Sequence, residues 1–202
     1  MRLQLAVDKK RLDKVAAAIE ATEAQIKQAR SATLRQLQTT IETGLKQRIS
    51  KAERIPQRAL GERLFFSSVG KDDGTMKVWV GTWDISPFAI GSPQQNAKGV
   101  TVAGRKYPGA FLASIYSAQE KVWIRLHSPH YSPDLYPTSS RKGDRFDTQP
   151  ELRGRFPVVR AAIPIATHVE EFFSEQEAFL ADQFTVKFER NLNYFVKLQG
   201  KL

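Results

Sequence analysis

Between Gly104 and His127 the chain reads Gly-Arg-Lys-Tyr-Pro-Gly-Ala-Phe-Leu-Ala-Ser-Ile-Tyr, then Ser-Ala-Gln-Glu, then Lys-Val-Trp-Ile-Arg-Leu-His. Two runs of period-two alternation joined by small or polar residues predict a β-hairpin with a short loop. Alternation puts Phe111, Ala113 and Ile115 on one face with Val122, Ile124 and Leu126, so one side is apolar throughout and needs a covering layer. The opposite side carries Tyr116, Trp123, Arg125 and His127. It is too aromatic for an ordinary wet surface and points to a second contact.

Helical patterns at both ends supply the covering layer. From Asp8 to about Ala52, Leu12, Val15, Ile19, Ile26, Leu34, Leu37, Ile41, Leu45 and Ile49 recur at helical spacing among Lys, Arg, Glu and Gln, and alanine adds to the helix preference. Ser31 is the one weak N-cap candidate inside this stretch, so it reads as one long helix or two. Near the other end, Thr167-His168-Val169-Glu170 has the form of a capping box. Val169, Phe172, Phe173, Leu180, Phe184, Phe188, Leu192, Phe195 and Val196 then hold one face of a helix over 167–198. Glu170 and Glu171 stand at its positive end and Gly200 lies past its negative end. The phenylalanines on that face point to core or subunit packing rather than a cofactor box.

In between, Pro56 opens a short helix with Ala59, Leu60 and Leu64, which completes an N-terminal helical part over 8–66. Sheet is expected over 75–127. Met76, Val78 and Val80 make a first strand, the prolines of 85–93 leave the sheet, and Gly99–Val102 makes a short second strand before the hairpin. A last strand at 156–164 has proline near both ends, which marks an edge or a bulge. Segment 128–155 is a long basic loop or arm without sustained period. Its bases Arg141, Lys142, Arg145, Arg153 and Arg155 are candidates for touching a polyanion, and a solvated insertion accounts for them as well. The expected fold is α+β and a single domain over 1–202: a small, mainly antiparallel sheet of about four to five strands packed by N-terminal helices and a long C-terminal helix.

Composition narrows the function. The chain has 202 residues and no cysteine, enough for one real core and without disulfides, thiolate metal sites or cysteine nucleophiles. No apolar run approaches the roughly 20 residues that span a bilayer, and the start is charged too soon for a signal peptide. Synthesis and use in the cytoplasm, or export inside an assembly, is therefore expected, with no membrane partner. The net charge of +10 comes from 14 Lys/Arg against 7 Asp/Glu in 1–65 and 13 against 8 in 66–167, with 4 against 6 in 168–202. A polyanionic neighbour is implied for the first two thirds. His127, His130 and Asp134 can be written as a metal site, yet prolines break the segment. His168 belongs to a cap, Asp72-Asp73-Gly74 reads as a turn, and Glu170 and Glu171 point in different directions on a helix. No dinucleotide, phosphate-loop or nucleophile-elbow motif is present. A binding or structural protein is expected, not an enzyme, with no catalytic residue, metal or cofactor.

The order of the motifs adds a resemblance. A Gly-Val-Thr-Val strand at 99–102, Pro-Gly-Ala-Phe-Leu at 108–112, Val-Trp-Ile-Arg at 122–125, Arg-Phe-Pro-Val at 155–158, Ile-Pro-Ile-Ala at 163–166 and a long final helix follow a helical N-terminal half. Taken in order, these resemble the minor tail protein Z family, the tail completion proteins of lambda-like phages and prophages. Segment 128–155 departs from that family, whose loop is usually much shorter. The resemblance implies a structural virion protein of the phage neck, made in the host cytoplasm. Such a subunit completes the head-proximal end of a non-contractile tail as a ring, a homo-hexamer to match the tail, and enables head-tail joining. The implied partners are itself, the tail terminator and head-connector proteins, with non-specific contact to DNA in the channel. In that setting Tyr116, Trp123, Arg125, Phe156 and Val158 are the expected subunit interface, and Arg141, Lys142, Arg145, Arg153 and Arg155 the expected DNA or polyanion contacts. A tail terminator ring subunit, or a basic nucleic-acid-binding module, is the alternative.

Overall fold

The N-terminal periodicity folds as two helices, α1 (Lys9–Ala18) and α2 (Glu23–Glu53), in a computed structural model that describes residues 2–3, 9–66, 77–116, 118–136 and 157–199. The break has a local cause. Ala21 N–H bonds the Ala16 carbonyl and Glu20 N–H bonds that of Ala17, both at 3.2 Å, the paired bonds of a Schellman motif. Glu20 holds the left-handed position at φ 53°. Thr22 then caps α2: its Oγ1 accepts from Gln25 N–H at 3.4 Å, and Gln25 Oε1 accepts from Thr22 N–H at 2.8 Å, a capping box. Ser31, the expected cap, lies inside α2. The sequence Thr-Glu-Ala-Gln carried the stronger signal because both of its side chains work.

The chain divides into two compact units, one from Met1–Ala52, Leu60–Gly81 and His168–Leu202, the other from Glu53–Ala59 and Thr82–Thr167. In the first, α2 packs antiparallel against α3 (Ala166–Gln199). Leu34, Leu37, Ile41, Leu45 and Ile49 are buried on α2, and Val169, Phe172, Phe173, Leu180, Phe184, Phe188 and Leu192 on α3. Each such side chain contributes roughly 1.5–3 kcal/mol on burial. The antiparallel sense is read from two polar ties: Asn191 Nδ2 donates to Thr33 Oγ1 at 2.9 Å, and Arg48 Nη2 donates to Glu175 Oε1 at 2.9 Å and Glu171 Oε2 at 3.0 Å. Gly44 is in mid-helix where a Cβ would come 3.1 Å from the Phe172 ring, so the helices approach over a bare backbone. Helix α3 begins at Ala166, which makes Thr167 its second residue and not its cap. The chain leaves the Ile163 bridge and turns helical at once.

The same unit holds a small antiparallel sheet of β1 (Arg2–Leu3), β2 (Leu64–Phe66) and β3 (Val78–Val80), in the order β1-β3-β2. Pro56 precedes a 3₁₀ turn, Gln57–Arg63, where an α-helix was expected, and Leu64 opens a strand. Met76 and the turn expected over 67–74 lie outside the described residues.

The second unit has two more antiparallel sheets. One is the meander β4 (Gln94–Asn96), β5 (Gly99–Val102), β6 (Arg105–Pro108). Its two turns hold two residues each. Asn96 Oδ1 accepts from Lys98 N–H at 2.8 Å in the first. Ala103 and Gly104 take φ 48° and 83° in the second, the left-handed pair of a type I′ turn. Gly99, at φ 136°, has no room for a side chain: a Cβ would lie 2.3 Å from the Tyr107 carbonyl oxygen. The other sheet is β7 (Phe111–Ala113), β8 (Lys121–Arg125) and β9 (Val158–Arg160), with β8 central. Ile85 and Ile163 add a bridge with mutual bonds of 2.8 and 2.9 Å. Arg105 Nη2 donates to the Glu53 carbonyl at 2.8 Å and to its carboxylate at 2.9 Å, satisfying a terminal carbonyl of α2.

The class is therefore α+β, with long N-terminal and C-terminal helices packed together, and among the described residues the strands fall into three small sheets instead of one. The expected hairpin is the point of division. Its first run is split by Pro108-Gly109-Ala110 into β6, which pairs back onto β5, and β7, which pairs onto β8. The register sets Phe111 opposite Trp123 and Leu112 opposite Val122. Phe111 thus shares the face of Trp123, one step from the expected pairing with Val122 and Ile124. A one-residue slip exchanges the faces. Alternation could not detect it because β8 is buried on both sides from Lys121 to Ile124. Leu126, expected on the apolar side, is exposed.

Candidate functional site

The β7–β9 sheet gathers the expected interface residues that are described. Trp123 lies opposite Arg160, and Arg125 opposite Val158, so Trp123, Arg125 and Val158 share one face. Tyr116 meets Trp123 edge-on at 5.4 Å between ring centroids. Their exposure differs. Trp123 is only 6% exposed and its Nε1–H donates to the Ala113 carbonyl at 2.9 Å, so its ring packs within the chain. Arg125 is exposed, and Tyr116 and Val158 are half-buried. Phe156 lies outside the described residues, as do Arg141, Lys142, Arg145, Arg153 and Arg155.

A feature missed in the sequence lies on the outer face of the meander. The register places Thr101 opposite Lys106 and Asn96 opposite Gly99, and this face borders a cleft of about 630 Å³. Lys98 from the first turn, Lys106 and His130 line it, together with the bare backbone of Gly99 and Gly109, and among the described residues no carboxylate lines it. Gly109 is at φ 66° and a Cβ there would come 2.9 Å from the His130 ring. Two ammonium groups and an imidazole around bare backbone can take phosphate oxygens or another small anion. The usable signal was Asn-Ala-Lys-Gly ahead of the alternating Val100-Thr101-Val102, a turn that presents its lysine.

Behind the meander the environment is apolar and aromatic. Tyr107 and Tyr136 are fully buried with centroids 6.2 Å apart. Tyr136 Oη donates to the Pro108 carbonyl at 3.4 Å, whereas the Tyr107 hydroxyl finds no hydrogen-bond partner among the described residues. Burial pushes both phenols from the ordinary 10.0 up to about 12, against the pull of the Arg105 charge on Tyr107. In the helical unit, Glu175 and then Glu171 raise the Arg48 guanidinium above its usual value, and Arg48 lowers the Glu175 carboxyl.

Among the described residues no three His, Cys, Asp or Glu gather to hold a metal ion, and His127, His130 and Asp134 form no such set. His168 approaches Glu171 at 4.0 Å. No helix of the described residues is long and apolar enough to cross a membrane. Two further surfaces escaped the sequence reading. Phe65 and Trp79 face each other across β2 and β3 at 5.4 Å, 54% and 41% exposed, and α3 has exposed apolar residues away from its buried face. Comparison of the chain with protein-family models, with curated proteins and with solved structures finds no match in any of the three.

Proposed function

We propose that the chain is a structural protein of a phage virion, a ring subunit that completes the head-proximal end of a non-contractile tail and enables head-tail joining. One observation carries this reading: of the segments on which the tail-completion resemblance rests, those described stand in the same order on folded elements. Gly99–Val102 is β5, Phe111–Ala113 is β7, Lys121–Arg125 is β8, Val158–Arg160 is β9, and α3 follows. Arg125 and Val158 on one face of the β7–β9 sheet are the subunit contact in this reading, the tail terminator and a head connector are the axial neighbours, and the excess positive charge lies toward DNA. The experiment is to purify virions of the phage or prophage that encodes the chain and measure its copies per particle by mass spectrometry. Ring-like stoichiometry, and tails that fail to join heads when the gene is deleted, are expected. A chain absent from finished particles sinks the reading.

The cleft at Lys98, Lys106 and His130 favours one second reading, a basic nucleic-acid-binding module. Binding to DNA would then weaken steeply with salt. Replacing Lys98 and Lys106 with Ser should lower affinity and flatten the salt slope, and unchanged affinity removes this reading.

A further inference from the structure

Helix α3 carries a second apolar stripe that the other described residues leave open. Phe179, Val186, Tyr194 and Leu198 are 49%, 53%, 59% and 50% exposed. Their spacing places them along one side of the helix, about 28 Å from end to end at 1.5 Å per residue. The charge along the same helix is polarised. Up to Asp182 it carries Glu170, Glu171, Glu175, Glu177 and Asp182 with no Lys or Arg, and beyond it Lys187, Arg190 and Lys197 stand against Glu189. Arg48 takes up Glu171 and Glu175. Among the described residues Asp182 and Arg190 make no ion pair. Two such helices laid parallel would set like charge on like. Laid antiparallel, the acidic half of each meets the basic half of the other.

We propose that this stripe is the contact of a twofold, antiparallel dimer of the chain, centred on Val186. With Val186 on the axis, Asp182 stands level with Arg190 of the partner subunit, because the two positions are equidistant from Val186. Symmetry makes that pair twice. Phe179 falls beside Tyr194 of the partner subunit, so the exposed rings cover one another. The contact is isologous, whereas the neighbours in a ring meet head to tail. The dimer therefore goes beyond the tail reading and does not depend on it. A single helix stripe is small beside the roughly 800 Å² per partner of a standard interface, so affinity in the micromolar range is expected.

The absence of cysteine makes the test direct. Full-length protein is taken through sedimentation equilibrium up to about 100 μM, and Val186→Cys is oxidised mildly beside Glu177→Cys, which sits off the stripe. Dimerisation is expected, with covalent dimer from Val186→Cys and little from Glu177→Cys. Asp182→Arg sets two arginines together twice and should weaken the dimer at least about tenfold. Adding Arg190→Asp in the same chain rebuilds both pairs and should recover affinity to within about threefold of wild type. Circular dichroism confirms that the variants keep their helices. A protein that stays monomeric, or one that associates without Val186→Cys cross-linking, overturns the dimer, as does a double variant no tighter than Asp182→Arg. A monomer that is nonetheless found in virions overturns the dimer alone, and a dimer absent from virions overturns the tail reading alone.

Discussion

Replacing Asn191 with alanine removes the amide that donates to Thr33 Oγ1 at 2.9 Å between α2 and α3, where Thr33 is fully buried and Asn191 is 8% exposed. The Thr33 hydroxyl gives its own proton to the Ala29 carbonyl at 2.8 Å, so the variant leaves its lone pairs without a donor in a water-poor seam. Gln36, which meets Asn191 at 3.3 Å, is half-buried and turns to solvent. The lost hydrogen bond and the void left by truncation together cost about 1.5–3 kcal/mol. Asn191→Leu fills the volume but still strands Thr33, so it should cost about 1–2 kcal/mol, and Thr33→Val a similar amount. Combining Thr33→Val with Asn191→Leu removes both polar groups at once. That double variant should lie much nearer to wild type than the sum, with a coupling of about 1–2 kcal/mol. Urea unfolding followed by far-ultraviolet circular dichroism, with a shared slope for wild type and the four variants, measures each difference. Additivity within about 0.3 kcal/mol would refute the argument that this tie holds through mutual satisfaction.

Gly99→Ala must place a Cβ against the Tyr107 carbonyl at φ 136°, and unfolding midpoints should show a loss of at least about 2 kcal/mol. Ala103→Asn should act in the other direction, since asparagine tolerates the left-handed φ of 48° better than alanine; a gain of about 0.5–1 kcal/mol in the same assay is expected. Alkaline titration should find Tyr107 and Tyr136 late. Their folded-state values, raised from 10.0 to about 12, mean that their contribution is complete below pH 10 and is lost as pH rises through the folded value of about 12. Tyrosinate absorbance that develops in step with unfolding in that window confirms the sign, and two phenols titrating early in a folded chain refute it.

Long elements were legible in the sequence because their apolar residues recur many times over. The face of α3 from Val169 to Leu192, and that of α2 from Leu34 to Ile49, are buried as their spacing requires. The α1–α2 break was misplaced because a glutamate holds the left-handed cap at Glu20, a position where the eye looks for glycine. Strand faces failed for a different reason. Three-residue strands such as β7 give alternation almost nothing to act on, and the doubly buried β8 has no polar side to mark its parity. β4, with Gln94, Gln95 and Asn96 all exposed, is held by its turn and its neighbour and has no hydrophobic pattern. Of the surfaces, Trp123 looked available in sequence and is enclosed, while the cleft at Lys98 depends on a register that only the folded meander fixes.

The shortness of the strands bears on how the protein behaves when crowded. Each of the three sheets among the described residues presents two outer strands, and the longest of these, β6, has four residues. A foreign strand laid on any of them would find too few backbone groups to hold it. Fibril-like templating thus has no adequate platform in these sheets, although none of them is closed into a barrel. Self-association at high concentration is left to side-chain surfaces, which come apart on dilution.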